Sequence, residues 1–138
     1  MKETINVRWM DGMAFEANIT GKKIIIDAVE SVGGKSRGPQ PKPLMMVSIA
    51  GCTGMDVISI LEKMRVKVDK FNVKVEGELT EEHPKHFSKM NIIYEFSGKD
   101  LPMAKLEKAV NLSQDRYCGV TYNYRKSFEL NHEIRIVE

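Results

Sequence analysis

The chain has 138 residues, which suits one domain and excludes an array of several. Hydrophobic residues make up 42% and charged residues 29%, a balance that excludes a disordered or fibrous chain. Twenty-one basic against 19 acidic residues leave a net charge of +2, short of the basic excess of a dedicated nucleic-acid binder.

Thr4–Met10 alternates, with Ile5, Val7 and Trp9 opposite Thr4, Asn6 and Arg8, which is strand periodicity. Asp11-Gly12 predicts a hairpin turn, because Gly tolerates the positive φ that a type I′ turn requires. Met13–Thr20 alternates again, Gly21-Lys22 predicts a second turn, and Lys23–Asp27 is rich in isoleucine. The opening therefore predicts a three-stranded antiparallel meander.

Ser31–Pro43 reads as a loop, with Gly33, Gly34 and Gly38 and prolines at 39, 41 and 43. Leu44–Arg65 follows as about six turns of helix. Its first half is apolar or small almost all round, which predicts burial on all sides. Its second half is amphipathic, with Val57, Ile58, Leu61 and Met64 inward and Asp56, Ser59, Glu62 and Lys63 outward. Lys70–Thr80 and Phe87–Phe96 alternate as strands. Asp100-Leu101-Pro102 predicts the start of a second helix, with Leu106, Val110 and Tyr117 on its apolar stripe and Gly119 as a left-handed stop. Lys126–Val137 predicts a closing strand with Phe128, Leu130, His132, Ile134 and Ile136 on one side. The expected class is α+β, in the order βββ–α–ββ–α–β, as a single domain over 1–138.

The longest unbroken apolar run is Leu44–Val47, well short of the ~20 residues of a bilayer span. Met1–Asn6 lacks a signal-peptide core. A cytoplasmic protein without a membrane partner is expected. Thiols stay reduced there, so two cysteines suggest working or free thiols rather than a structural disulfide.

Cys52 lies inside the long helix between Gly51 and Gly54, each of which costs ~1 kcal/mol relative to Ala. Two such glycines would let a backbone or a substrate come close to the sulfur. Between Ser31 and Met55 there is no acidic residue, while Lys35, Arg37 and Lys42 are basic. Cations favour the thiolate, the reacting form of cysteine. Arg37, with Arg8 as the other candidate, is expected to hold that thiolate, since a guanidinium fork also reaches a peroxide oxygen. Cys118 comes 66 residues later, at the end of the second helix, where the negative end of the dipole disfavours a thiolate. That asymmetry suits Cys52 as the attacking thiol and Cys118 as the resolving one. A small hydrophobe buried for packing is the alternative for either sulfur.

Pro41-Lys42-Pro43-Leu44, Gly51-Cys52-Thr53-Gly54-Met55-Asp56-Val57 and Glu62-Lys63-Met64 resemble the first cysteine segment of the OsmC/Ohr superfamily, the osmotically induced and organic hydroperoxide resistance proteins. Val32-Gly33-Gly34-Lys35 resembles the glycine loop of that family, and Ala109–Cys118 its second cysteine segment. The resemblance implies the OsmC-like fold, with its long central helix buried in an intertwined homodimer. It also implies a peroxidase that reduces organic hydroperoxides through a Cys52–Cys118 disulfide, reopened by an external dithiol or small thiol, with no tightly bound cofactor. A Glu shortly before the first cysteine usually completes such a site; Lys42-Pro43 stand there instead. The rival is a non-catalytic OsmC-like module that binds a small molecule or a thiol.

Other signals are weaker. Glu81-Glu82-His83-Pro84-Lys85-His86 suits a solvated loop, and Cys52 and Cys118 are too distant in sequence to form a recognisable zinc pair, so no metal is expected. His132 is expected as a core or interface histidine. Tyr117, Tyr122 and Tyr124 beside Arg125-Lys126 suit a pocket rim better than a nucleic-acid platform.

Overall fold

The computed structural model describes all 138 residues, and the chain packs as two compact units, Met1–Met45 and Met46–Glu138. The first is the expected meander of β1 (Asn6–Asp11), β2 (Ala14–Ile19) and β3 (Lys22–Ile26), in that spatial order. Both turns sit one residue from their expected places. Asp11 pairs with Ala14, so Gly12-Met13 forms the first bend, and Thr20-Gly21 forms the second with φ of 48° and 81°. Two successive positive φ angles are what a type I′ hairpin needs.

The loop after β3 closes on Asp27, which is only 2% exposed. Its carboxylate accepts from the backbone N–H groups of Ala28, Lys35 and Arg37 and from Arg37 Nε at 3.1 Å. The backbone itself packs tightly there. A Cβ at Gly34 would lie 1.8 Å from the Ala28 carbonyl oxygen, and one at Gly38 1.9 Å from that of Ile25.

In the second unit, β4 (Lys70–Leu79) pairs antiparallel with β5 (Phe87–Ser97), and β6 (Glu129–Ile136) adds to the other edge of β5 in parallel. A parallel neighbour cannot be reached through a hairpin. The crossover carries α2 (Met103–Leu112), a π-helical turn (Ser113–Tyr117) and α3 (Gly119–Arg125). The long helix α1 spans Pro43–Lys63 and begins on proline, whose missing N–H is not needed in a first turn. Thr53 of α1 and Gln114 of the crossover both reach Tyr94, so α1 and the crossover share one face of β5. Met90, Ile92, Tyr94 and Phe96 are fully buried, and Phe71 stacks on Phe96 with ring centroids 4.6 Å apart.

The class is α+β, as the sequence suggests, with three corrections. Gly119 does not stop a helix; it opens α3, a helix the sequence reading left out between Cys118 and Lys126. Asp100 has φ of 51°, and α2 starts after Pro102 without a side-chain cap. Within the single chain α1 is not buried all round. Ile49, Thr53, Val57 and Leu61 are covered, whereas Val47, Met55 and Ile58 are exposed, Met55 by 77%. By length and composition alone α1 could cross a bilayer; here it lays one face on a sheet.

A candidate dithiol site

The fold brings Cys52 and Cys118 together. Their sulfurs and a carboxylate oxygen of Asp56 all lie within 4.8 Å of one another. Asp56 follows Cys52 by four residues, which puts both on one face of α1. The π turn sets the position of Cys118. Its wider winding ends as the Cys118 N–H donates to Ser113 O at 2.9 Å, and the backbone then turns extended.

Cys118 is 3% exposed and Cys52 half-buried. Cys118 caps the start of α3, its sulfur accepting from the Thr121 N–H at 3.4 Å. Cys118 thus stands between two helix ends, the C-terminal end of the π turn, as expected, and the N-terminal end of α3, which the sequence did not suggest. Its thiol is nevertheless pushed above the usual cysteine range, first by burial, with Thr121 pulling down and the neighbouring Cys52 thiol pushing up again. The buried Thr121 hydroxyl reaches no acceptor of hydrogen-bond geometry, so it stands ready for a sulfur that has lost its proton.

Asp56 was expected to face solvent. It is half-buried and accepts from Ser113 Oγ at 2.9 Å. That bond orders a whole buried chain. Ser113 has one hydrogen and gives it to Asp56, so in its 2.7 Å contact with Thr53 it accepts. Thr53 has then spent its own hydrogen, so Tyr94 donates to Thr53 across 2.6 Å. The Tyr94 oxygen accepts from Gln114 Nε2 at 2.7 Å, and Gln114 Oε1 from Arg125 at 3.2 Å. Every donor points towards Asp56, and such chains strengthen each member. Burial also raises the Tyr94 phenol above its ordinary range, so it stays a donor.

A cleft of about 320 Å³ beside this network is lined by Gln114, Arg116, Tyr117, Cys118, Tyr122 and Arg125. Tyr117 and Tyr122 are 54% and 63% exposed and form its rim, whereas Tyr124 is engaged with Ser48 of α1. His132 stands edge-on to the Tyr94 ring at 6.3 Å and is exposed on β6 rather than buried in a core. The loop of His83 and His86 closes on Thr80. Arg37 lies in the other unit, bonded to Asp27 at 3.1 Å and Asp11 at 2.8 Å, and Arg8 pairs with Glu16 there. The two carboxylates hold the Arg37 guanidinium firmly protonated.

The model of the OsmC-like protein family matches residues 33–133, which include both cysteines. This chain belongs to the OsmC-like family. Protein YhfA of Escherichia coli K12 is 31% identical to it over 132 residues, 95% of this chain and 96% of that one. Among solved structures, a hypothetical protein from Aquifex aeolicus VF5 matches with a TM-score of 0.84 and 28% identity, over 100% of this chain and 99% of that one. The organic hydroperoxide resistance protein OhrB of Bacillus subtilis matches with a TM-score of 0.63 and 19% identity, over 98% of each chain, which is a likeness of fold. The OsmC-like fold therefore frames the dithiol, while the polar chain ending on Asp56 is read from this chain's own residues. Sequence reasoning passed over Thr53, Asp56, Tyr94, Ser113, Gln114 and Thr121. The spacing of Cys52 and Asp56 was the available signal.

Proposed function

We propose that the protein is a thiol peroxidase for organic hydroperoxides, in keeping with a family that includes hydroperoxide resistance proteins. The observation that carries this reading is the meeting of the Cys52 and Cys118 sulfurs, within 4.8 Å, from positions far apart in sequence. Cys52 is the more accessible sulfur and acts as the nucleophile. Its thiolate attacks the outer peroxide oxygen, the O–O bond breaks, and the alkoxide takes a proton and leaves as alcohol. Cys52 is then a sulfenic acid. Cys118 condenses with it, the S–S bond forms and water leaves. An external dithiol returns two electrons and two protons to restore both thiols. Arg37, committed to Asp11 and Asp27, is the positional candidate for orienting the peroxide, and Arg8 is the other. The protein works as a homodimer in the cytoplasm, through the exposed side of α1.

The test is consumption of cumene hydroperoxide by reduced protein with a supplied dithiol, against hydrogen peroxide as the poorer substrate. Cys52→Ser should lose turnover. Cys118→Ser should still oxidise once and leave a sulfenic acid that dimedone traps. Turnover that survives Cys52→Ser would overturn the assignment. A wild-type protein that binds but never consumes hydroperoxide would favour a non-catalytic binding module.

A further inference from the structure

Two thiols and a carboxylate converge here, and of these three groups the peroxidase steps use only the thiols. We infer that Cys52 Sγ, Cys118 Sγ and the Asp56 carboxylate form a three-ligand site for a soft divalent cation of the zinc type in the reduced protein. The inference rests on the site's geometry and holds whether or not the protein turns over peroxide.

Distance comes first. Tetrahedral zinc holds sulfur at ~2.3 Å and carboxylate oxygen at ~2.0–2.2 Å, which puts neighbouring ligand atoms roughly 3.5–4 Å apart. Atoms already within 4.8 Å need to close by only about 1 Å. Cys52 and Asp56 are held one turn apart on a rigid helix, and Cys118 is fixed by the π turn and by Thr121. Sequence separation hid this cluster, since 66 residues part the sulfurs and the fold alone joins them.

The surroundings of each ligand fit as well. Metal-bound groups usually carry outer hydrogen bonds that orient them. Asp56 accepts from Ser113, at the end of a chain whose donors all run towards it. Cys118 accepts from the Thr121 N–H, and the Thr121 hydroxyl beside it is fully buried and lacks an acceptor. A buried orphan of this kind calls for a cause. A metal-bound thiolate, with lone pairs a thiol offers less readily, would satisfy it. Thiolate sulfur selects zinc-like ions over magnesium or calcium.

Binding is not a redox step. Two S–H bonds lose their protons to solvent, two metal–sulfur bonds and one metal–oxygen bond form, and the metal stays divalent. Three protein ligands leave a fourth position open on the half-buried side of Cys52 and Asp56. While the metal is bound, both sulfurs are withheld from peroxide, so metal and oxidant compete for one pair of thiols.

The experiment uses Cd²⁺ as the probe, titrated into fully reduced protein without oxygen and followed by sulfur-to-cadmium charge-transfer absorbance in the ultraviolet. The expected result is a saturating band at one equivalent, displaced by Zn²⁺. Asp56→Asn should weaken binding at least about tenfold, and Cys118→Ser should roughly halve the band. Zn²⁺ should also slow maleimide labelling of the wild-type thiols, reversed by a chelator, a measurement that needs no variant to fold. No saturable band in the wild type, equal affinity in Asp56→Asn, or labelling that ignores Zn²⁺ would each overturn the site. None of these readouts involves turnover, so their failure is distinct from that of the peroxidase.

Discussion

At the scale of single residues, the buried hydroxyls do as much as the thiols. Tyr94 is fully buried, donates to Thr53 and accepts from Gln114. Tyr94→Phe would leave the Thr53 oxygen and Gln114 Nε2 short of a partner, and such losses cost about 1–3 kcal/mol. Urea unfolding should place the variant about 2 kcal/mol below wild type, with unchanged far-ultraviolet circular dichroism. Equal stability would mean that the chain is not a continuous network. The two cysteines were legible because cysteine is rare here and each stands in an unusual context. Asp56 was not, for two reasons. A polar residue in an amphipathic helix is assigned to solvent by default, and the acid-free stretch was counted to Met55, one residue short of it. Thr53 and Tyr94 are 41 positions apart, and only the sheet reveals their bond.

At the scale of elements, strands and the long helix were readable from periodicity to within a few residues. The crossover was not. Gly119 is a residue of helix ends, and a seven-residue helix capped by a cysteine has no apolar stripe long enough to register. The glycine loop is an element built around Asp27, with Arg37 as its clamp. The Asp11 and Asp27 carboxyls both lie below their ordinary value: at Asp11 the Arg37 side-chain bond is the leading cause, and at Asp27 burial pushes up but the bonds from Arg37, Ala28 and Lys35 prevail. A carboxylate whose value is lowered by folding stabilises the fold above its unfolded value near ~4. That contribution is lost as pH falls through the lowered folded value. Arg37→Ala should therefore begin to unfold at a higher pH in an acid titration, and should melt at a lower temperature at neutral pH. Trp9, the only tryptophan, reports on β1 by fluorescence. An unchanged acid transition would show that Arg37 does not organise the loop.

At the scale of the whole molecule, the exposed side of α1 is the open question that the proposed homodimer answers. Val47, Ala50, Met55 and Ile58 line an apolar groove of about 510 Å³ with Phe71 and Val73. Light scattering should give about twice the 15.7 kDa chain mass. Met55→Glu, at a side chain 77% exposed in the single chain, should shift the mass towards the monomer. A wild-type monomer at micromolar concentration would contradict the assembly. The distance in sequence between the two sulfurs has one more consequence. Joining them would tie off a loop of 66 residues and remove chain entropy from the unfolded state, worth about 4 kcal/mol. That is a large share of the roughly 5–15 kcal/mol by which such domains are stable. Oxidation state and resistance to unfolding are thereby linked. Molecules with the bond closed would survive heat and proteases longest, and each reduction would return them to a looser pool that turns over faster.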